Sequence, residues 1–340
     1  PTEDQLNVRF HRMKERYGID PQYPIRRYVD GLTKFKVPDR STEHPTKEAG
    51  GRREIAGYSS TGKCTNPLFA AKLPRQPGDE LCALPRSTRT PDLVFFAVVG
   101  GVPNRLLYKD VNDVSTRVSP PNWDAILGRD PTNFNYTGID PHMIQSVRPR
   151  PGLPPASATR GDNGSDPDHG REWDTNNDDL QYACTFDLPA DKQRNCGNDP
   201  TCDCAGNKNP PLCGAAVGEQ VKAKAYPTTR EFMVVRALGD QGIIASLCPI
   251  TLQGDKQAPT YGYNPAVNAI VERLKNALTT QCLPQQLTRD TQTNEVPCLV
   301  LAQLGEPTDK CETYGLQPPP KEILDVFLEQ QKAQAGEGAE

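Results

Sequence analysis

The sequence predicts an α/β domain with a mainly parallel sheet, a long disulfide-stapled irregular insertion and a C-terminal β-ribbon. Three observations predict it. Helical segments alternate with continuous apolar runs, 34 Pro and 27 Gly in 340 residues indicate long irregular connections, and eleven cysteines lie mostly in polar segments. Alternation of helices with buried strands is typical of a layered α/β domain with a parallel sheet.

The first division, residues 1–103, is predicted to contain a helix and a central strand, with a loop insertion over 37–91. Apolar residues at 25, 28, 29, 32 and 35 lie on one face of a helix over 25–35. The continuous apolar run within 92–103 predicts a strand covered on both faces, as in a parallel sheet. The two glycines after this strand favour a turn at its carboxyl end, which is also the edge where open α/β sheets bind ligands.

Residues 104–225 show no sustained periodicity and contain Pro-rich, Asp/Asn-rich and Cys-rich stretches. A stretch of this length without regular structure is usually a functional or a mobile insertion, so we expect an excursion on the surface. Trp123, Trp173 and Tyr136 are expected to anchor it to the core.

Regular structure is predicted to resume over 226–281. Thr229 as cap and Gly239 after the last turn favour a helix between them. A second buried strand follows over 242–248, and then a helix over 264–278 with Asn as cap and Pro at its first position.

The last division, residues 282–340, is predicted to form a β-ribbon over 282–304, a short helix over 320–331 and a polar tail. Two central strands are too few for a complete sheet, so we expect the domain to begin upstream of Pro1.

The cysteines favour disulfides over metal binding. No C-x-x-C pair is present, and the residues between the four cysteines of 196–213 are too polar to bury apolar surface, so cross-links are expected to order that loop. We expect bridges Cys64–Cys82 and Cys282–Cys298, and an odd count leaves at least one cysteine unpaired. Disulfides persist in oxidising compartments, so the sequence predicts an exported protein. The eleven are Cys64, Cys82, Cys184, Cys196, Cys202, Cys204, Cys213, Cys248, Cys282, Cys298 and Cys311.

Several of these segments also resemble a known family. DLVFFAVVGGVP at 92–103, the passage 230–249 ending in ALGDQGIIASLCP, the helix 265–278, and the segments 281–284 and 297–300 resemble the C-terminal half of secreted von Willebrand factor type A-like proteins from bacteria such as myxobacteria. The resemblance implies a doubly wound, mainly parallel sheet and an extracellular, cell-surface or periplasmic bacterial location.

Such domains characteristically bind a divalent cation through Asp-x-Ser-x-Ser after the first strand. The nearest match here, Asp113-Val-Ser115-Thr-Arg117, ends in Arg and follows no buried strand, so we reject it. Any such adhesion site is expected to lie upstream of Pro1.

The best metal candidate in the sequence is a calcium site in the Asp/Asn-rich stretch. Ca²⁺ takes six to eight oxygen ligands at flexible geometry, which alternating Asp and Asn around Gly can supply, although the same residues are favoured in solvated turns. The proposed ligands are Asp162, Asp166, Asp168, Asp174, Asn176 and Asp178.

No catalytic motif is present: the sequence lacks G-x-S-x-G, H-E-x-x-H and a Walker loop. His142 and His169 are candidate bases, but isolated loop histidines are the commoner case.

Charge and hydropathy argue against nucleic-acid binding and against a transmembrane segment. The net charge is −4 with no basic block, so nucleic acid is not expected, and no apolar run approaches the roughly 20 residues that span a bilayer. The first hypothesis is a non-enzymatic binding or adhesion module whose insertion recognises an extracellular or envelope protein. The alternatives are a secreted calcium-supported hydrolase with its site in 104–225, and a structural envelope protein.

Overall fold

The computed structural model describes residues 4–49, 52–55, 57–73, 82–197, 199, 201–279, 310–314, 317–321, 323–326 and 328. The predicted ribbon over 282–304 and its bridge Cys282–Cys298 lie outside these residues, and the predicted helix over 320–331 is described only in part. The described helices are α1 (Arg9–Tyr17), α2 (Ile25–Thr33), α3 (Trp123–Leu127), α4 (Thr229–Ala237) and α5 (Asn264–Thr279). The described strands are β1 (Lys36–Val37), β2 (Thr46–Ala49), β3 (Arg52–Ile55), β4 (Cys64–Thr65), β5 (Phe96–Gly100), β6 (Cys184–Asp187), β7 (Arg194–Asn195), β8 (Glu219–Gln220), β9 (Lys222–Ala225) and β10 (Gly242–Ser246).

A parallel strand pair lies at the centre of the α/β part. β5 pairs with β10 in parallel, from Phe96 opposite Gly242 to Gly100 opposite Ser246. α4 contacts both strands and α5 packs against β10, so the predicted order of α2, β5, α4, β10 and α5 is confirmed. Parallel neighbours require a crossover connection, which here contains the entire insertion.

The two strands differ in burial. β10 is buried from Ile243 to Ser246, as expected of a strand covered on both faces. β5 alternates instead, because Ala97 and Val99 are exposed while Gly100 is buried. The prediction that β5 is covered on both faces was therefore wrong for the described residues.

α4 has the sequence signals of a helix at both ends. Glu231 in the first turn and Arg236 in the last turn complement the helix dipole, and Gly239 follows with a φ of 55°. That left-handed conformation is the reason that glycine stands at this position. The cap residue is Thr228 rather than the predicted Thr229, and its hydroxyl accepts a hydrogen bond from the backbone N–H of Gly101.

The loop insertion over 37–91 contains strand pairs that the sequence did not predict. β1 pairs with β4, β2 pairs with β3, and the predicted bridge Cys64–Cys82 is present. Three further disulfides join Cys184–Cys248, Cys196–Cys202 and Cys204–Cys213. The chain is thus rich in disulfides, as predicted.

Residues 104–225 are not the surface excursion that their composition predicted. Their side chains supply much of the main core, which includes Ile126, Leu127 and Met143 from the insertion together with Phe232 and Ile244 from the α/β part. The insertion also contains two antiparallel pairs, β6 with β9 and β7 with β8. These core residues lie in elements of five residues or fewer, α3 for Ile126 and Leu127 and a 3-10 turn for Met143, where no period of 2 or 3.6 can develop.

A second, smaller core surrounds the cysteine-rich loop. Trp173, Tyr182 and Leu212 pack there against Cys196, Cys202, Cys204 and Cys213, all of them buried. Of the three predicted anchors, Trp173 is buried and Trp123 packs against the main core, whereas Tyr136 is 47% exposed. Among the described residues, no helix has the length and apolar character needed to span a bilayer.

Candidate functional site

A cleft of about 970 Å³ lies at the carboxyl ends of the parallel strands. Arg105 follows β5, Cys248 follows β10, and the insertion closes the other sides. Open α/β sheets place ligands at this edge, and the volume falls within the range of ligand sites. The cleft is lined by Asn104, Arg105, Val111, Asn163, Gly164, Asp166, Pro167, Asp168, Gly170, Cys184, Thr185, Phe186, Asp187, Leu188, Pro189, Ala190, Gln193, Val221, Lys222 and residues 248–253.

Cross-links fix the insertion against this edge. The disulfide Cys184–Cys248 joins the start of β6 to the segment after β10, and both cysteines are buried. The Asn104 amide donates to the Cys248 carbonyl at 2.8 Å, and the Ser246 hydroxyl donates to the Val102 carbonyl at 2.6 Å. The walls of the cleft are therefore held by covalent and hydrogen bonds as well as by packing.

A tight turn places His142 beside Asp140. Asp140 is followed by proline, and its carboxylate Oδ1 accepts the backbone N–H of His142 at 2.9 Å. The same oxygen lies 2.9 Å from His142 Nδ1. An Asp side chain that binds the backbone two residues ahead is typical of turns, and here it also orients the imidazole.

A second Asp-Pro turn places His169 beside Asp166. Asp166 Oδ1 accepts the backbone N–H groups of Asp168 at 2.9 Å and His169 at 3.1 Å. Gly170 completes the turn with a φ of 81°, and a Cβ there would lie 1.9 Å from the carbonyl oxygen of Asn163. Only glycine fits this position without moving the turn.

The two turns bring the histidines together over one carboxylate. Asp166 Oδ1 lies 3.0 Å from His142 Nε2 and 3.1 Å from His169 Nδ1. The two rings meet edge to face with centroids 4.7 Å apart. The His142 and His169 side chains are only 5% and 1% exposed, so these histidines are not the isolated loop residues that the sequence favoured.

Arg105 joins the carboxylates on the cleft side of this cluster. Its guanidinium donates two hydrogen bonds to Asp140, at 2.7 and 2.9 Å, and one to Asp168. Its Nη2 also lies 2.9 Å from His142 Nδ1. Burial alone would lower the pKa of Arg105, but its bonds with the two carboxylates raise it. Arg105 therefore stays charged and compensates part of the negative charge of the cluster.

The pKa values of Asp140 and Asp166 are lowered, so both carboxylates are ionised at neutral pH. Burial opposes the charge on Asp140, but hydrogen bonds from His142 and Arg105 outweigh it and lower its pKa. Burial is likewise outweighed at Asp166, where the bonds from His169 lower the pKa to about 2. Burial would lower the pKa of His142, yet its bond with Asp140 and the charge of Asp166 raise it.

Glu172 and Arg150 form the buried floor of the cluster. The Arg150 side chain donates to Glu172 from Nε and Nη2, the latter at 2.6 Å, and its backbone N–H donates to the same carboxylate. Glu172 Oε1 also lies 2.7 Å from His169 Nε2. Burial opposes the charge on Glu172, but the bonds from His169 and Arg150 lower its pKa. This floor orients the imidazole of His169 from the side opposite Asp166.

The six residues predicted to bind calcium do not share one site. Asp166 and Asp168 lie on the wall of the cleft, whereas Asp162, Asp174, Asn176 and Asp178 are exposed. Among the described residues, two groups of three Asp, Glu, His or Cys side chains lie close enough to hold a metal ion, with their ligand atoms within 4.8 Å of one another. Neither group includes Asp162, Asp174 or Asp178. One group contains the disulfide-bonded pair Cys64 and Cys82, and the other is His142, Asp166 and His169. Calcium binding itself stays a prediction.

Sequence reasoning missed that His142 and His169 belong together, and it missed Asp140, Glu172 and Arg105. A signal was available, because both histidines follow an Asp-Pro pair within three residues of the Asp. Asp113, the rejected adhesion-site residue, accepts hydrogen bonds from the backbone and hydroxyl of Ser115 and is exposed.

A second cleft, of about 1130 Å³, lies between α1, α2, α4 and residues 127–145. Its walls are mainly apolar, with Ile25, Val29, Phe134 and Met233 among them. The buried Asp30 also lines this second cleft. The first cleft is the better candidate for a specific site because it lies at the carboxyl ends of the parallel strands, and Asp166 on its wall contacts the two buried histidines.

No family model, curated protein or solved structure matches this chain.

Proposed function

We propose that this chain is an exported, non-enzymatic binding module that holds its ligand in the cleft at the carboxyl ends of β5 and β10. The observation that supports the proposal best is the cleft itself, which lies between the edge of the sheet and the insertion that a disulfide links to it. Four disulfides among the described residues support an oxidising compartment. A von Willebrand A-like fold and a bacterial cell-surface location are parts of the same proposal.

The composition of the walls favours a polypeptide ligand. Apolar side chains, among them Phe186 and Ile250, lie beside charges of both signs, such as Arg105 and Asp187. A polypeptide presents apolar and charged side chains together, so an extracellular or envelope protein with an extended segment suits these walls. Loops on a rigid scaffold commonly provide such surfaces.

A library of random peptides displayed on phage tests this proposal. Peptides selected on the full chain are labelled, and their affinity is measured by fluorescence anisotropy. Ala190, an exposed residue of the cleft, is changed to Trp so that the indole obstructs the cleft. The matched control is Ala156→Trp, because Ala156 is exposed and does not line the cleft.

We expect Ala190→Trp to weaken binding about tenfold or more, which corresponds to about 1.4 kcal/mol, and Ala156→Trp to leave it unchanged. Failure to enrich any peptide, or equal affinity in both variants, contradicts the proposal.

A hydrolase is the second candidate, and one observation favours it. Asp168 and Arg105 lie on the cleft wall next to His142, with Asp168 Oδ2 4.0 Å from His142 Nε2. A carboxylate, an imidazole and a guanidinium at a cleft can serve as general base, acid and charge stabiliser. Chromogenic ester, phosphate and peptide substrates test the hydrolase hypothesis. Turnover of one of them, lowered at least about 100-fold by Asp168→Asn, would favour a hydrolase over the binding module.

A further inference from the structure

We propose that His142 Nε2, His169 Nδ1 and the Asp166 carboxylate bind a divalent transition metal of the zinc class. Each of these three residues offers one ligand atom within 4.8 Å of those of the other two. Asp166 Oδ1 is 3.0 and 3.1 Å from the two ring nitrogens. Ligand atoms bound at about 2.0–2.1 Å in a tetrahedral site lie roughly 3.3 Å apart, so these two separations are within about 0.3 Å of those in a coordination sphere.

The outer contacts of the histidines fit metal ligands. His142 Nδ1 lies 2.9 Å from Asp140, and His169 Nε2 lies 2.7 Å from Glu172. Metal-bound histidines commonly donate their second ring N–H to a carboxylate, which fixes the tautomer and orients the ring. Arg105 Nη2 also lies 2.9 Å from His142 Nδ1, but it donates to Asp140 Oδ1. With the two imidazole protons directed towards Asp140 and Glu172, His142 Nε2 and His169 Nδ1 both direct lone pairs towards Asp166 Oδ1, which is also an acceptor. A cation between them satisfies all three groups.

The charge of the cluster supports a divalent ion. Four carboxylates, those of Asp140, Asp166, Asp168 and Glu172, face two contacting guanidinium groups, those of Arg105 and Arg150. With neutral imidazoles, two negative charges are uncompensated in a largely buried cluster. Buried charge is costly unless it is paired or coordinates a metal.

The donor set distinguishes this ion from calcium. Imidazole nitrogen suits zinc, iron, nickel or copper, whereas calcium takes oxygen ligands alone. Asp166 and Asp168 both line the cleft, so a metal held here lies at the cleft wall, accessible to a water or to an anionic group of a ligand. The inference does not rest on the proposed binding function, because the ion binds the chain without any other ligand.

Zinc titration of the tag-free full chain tests the inference. After treatment with chelator, the protein is titrated with ZnCl₂ and, separately, with CaCl₂ in a calorimeter, and the metal content is measured by mass spectrometry. We expect one zinc per chain with a Kd of about 1 µM or tighter, and no calcium at the same site.

Variants assign the ion to the cluster. His142→Gln and His169→Gln are expected to weaken zinc binding at least 100-fold, and Asp140→Asn about 10–100-fold. The matched control, His11→Gln, lies outside the cluster and is expected to bind as the wild type does. Circular dichroism checks that each variant is folded.

Cobalt substitution provides a readout on the wild type, which keeps the inference testable if the variants fail to fold. Co²⁺ bound by two imidazoles and a carboxylate gives visible absorption bands, which zinc then displaces. Folded wild-type protein that binds neither metal means that protons hold the cluster together, and this overturns the inference. Wild-type affinity in His142→Gln and His169→Gln, or binding of calcium instead of zinc, overturns it as well.

Discussion

Removal of the Glu172 carboxylate is expected to destabilise the fold by about 3–5 kcal/mol, because it leaves a buried guanidinium without its counterion. The Arg150 and Glu172 side chains are 1% and 0% exposed. In Glu172→Ala, Arg150 retains only the carbonyl oxygens of His142, Ile144 and Tyr182 as acceptors. His169 Nε2 also loses its partner.

The matched control is an exposed ion pair in the same part of the chain. Lys222 and Asp187 lie 2.7 Å apart, but their side chains are 25% and 72% exposed. Asp187→Ala is therefore expected to cost at most about 1 kcal/mol, since solvent screens such pairs.

The assay is urea unfolding, monitored by circular dichroism and tryptophan fluorescence, with chelator present so that metal binding does not contribute. The double variant Arg150→Met/Glu172→Leu is expected to recover most of the loss, because neither charge is then left buried alone. If Glu172→Ala loses no more stability than Asp187→Ala, the assignment of a buried pair is wrong.

Three further predictions concern the disulfide Cys184–Cys248, the turn at Gly170 and the buried Tyr182. Cys184→Ala/Cys248→Ala opens a loop of 64 residues and is expected to cost about 4 kcal/mol in urea unfolding; a loss below 1 kcal/mol contradicts this. Gly170→Ala is expected to cost over 2 kcal/mol, whereas Gly152→Ala, with a φ of 84° and open space around its Cβ, is expected to cost about 1 kcal/mol by the same measurement; equal losses contradict the steric account. Burial raises the pKa of Tyr182 well above 10. The contribution of its neutral phenol to the free energy of unfolding is therefore present below about pH 10 and is lost as the pH rises further. In an absorbance titration at least one tyrosine is expected to ionise only on unfolding, and ionisation of all eleven tyrosines near pH 10 in folded protein contradicts this.

The α/β part could be predicted from local signals. The apolar run before Gly100 and the capped helix that ends before Gly239 each carry their own pattern, so their order along the chain was correct. The exposed face of β5 was not predictable, because Ala97 and Val99 are apolar whether or not another element covers them.

The insertion could not be predicted in this way. Ile126 and Met143 are fully buried, yet Ile126 lies in the five-residue helix α3 and Met143 in a three-residue 3-10 turn, which are too short to show a periodicity. Their burial depends on packing against Phe232 and Ile244, which are distant in sequence. Tertiary packing, rather than local propensity, decides the structure of such segments.

The candidate site was predictable only in part. The Asp/Asn-rich stretch directed attention to Asp166 and Asp168, which do lie at the cleft. His142 and His169 are 27 positions apart in sequence, yet a ring nitrogen of each contacts Asp166 Oδ1 because the first turn packs against the second. Sequence spacing alone does not reveal these contacts. The shared Asp-Pro turn before each histidine is the one local feature that connects them.

The insertion is fixed over the carboxyl edge of the parallel strands and so forms the cleft. Peptide mapping of the non-reduced protein by mass spectrometry tests this claim most directly, because Cys184 belongs to the insertion and Cys248 follows β10. We expect to find the linked peptides Cys184–Cys248, together with Cys64–Cys82, Cys196–Cys202 and Cys204–Cys213. A free thiol at Cys184 or Cys248, or a bridge from either to another cysteine, would contradict the account.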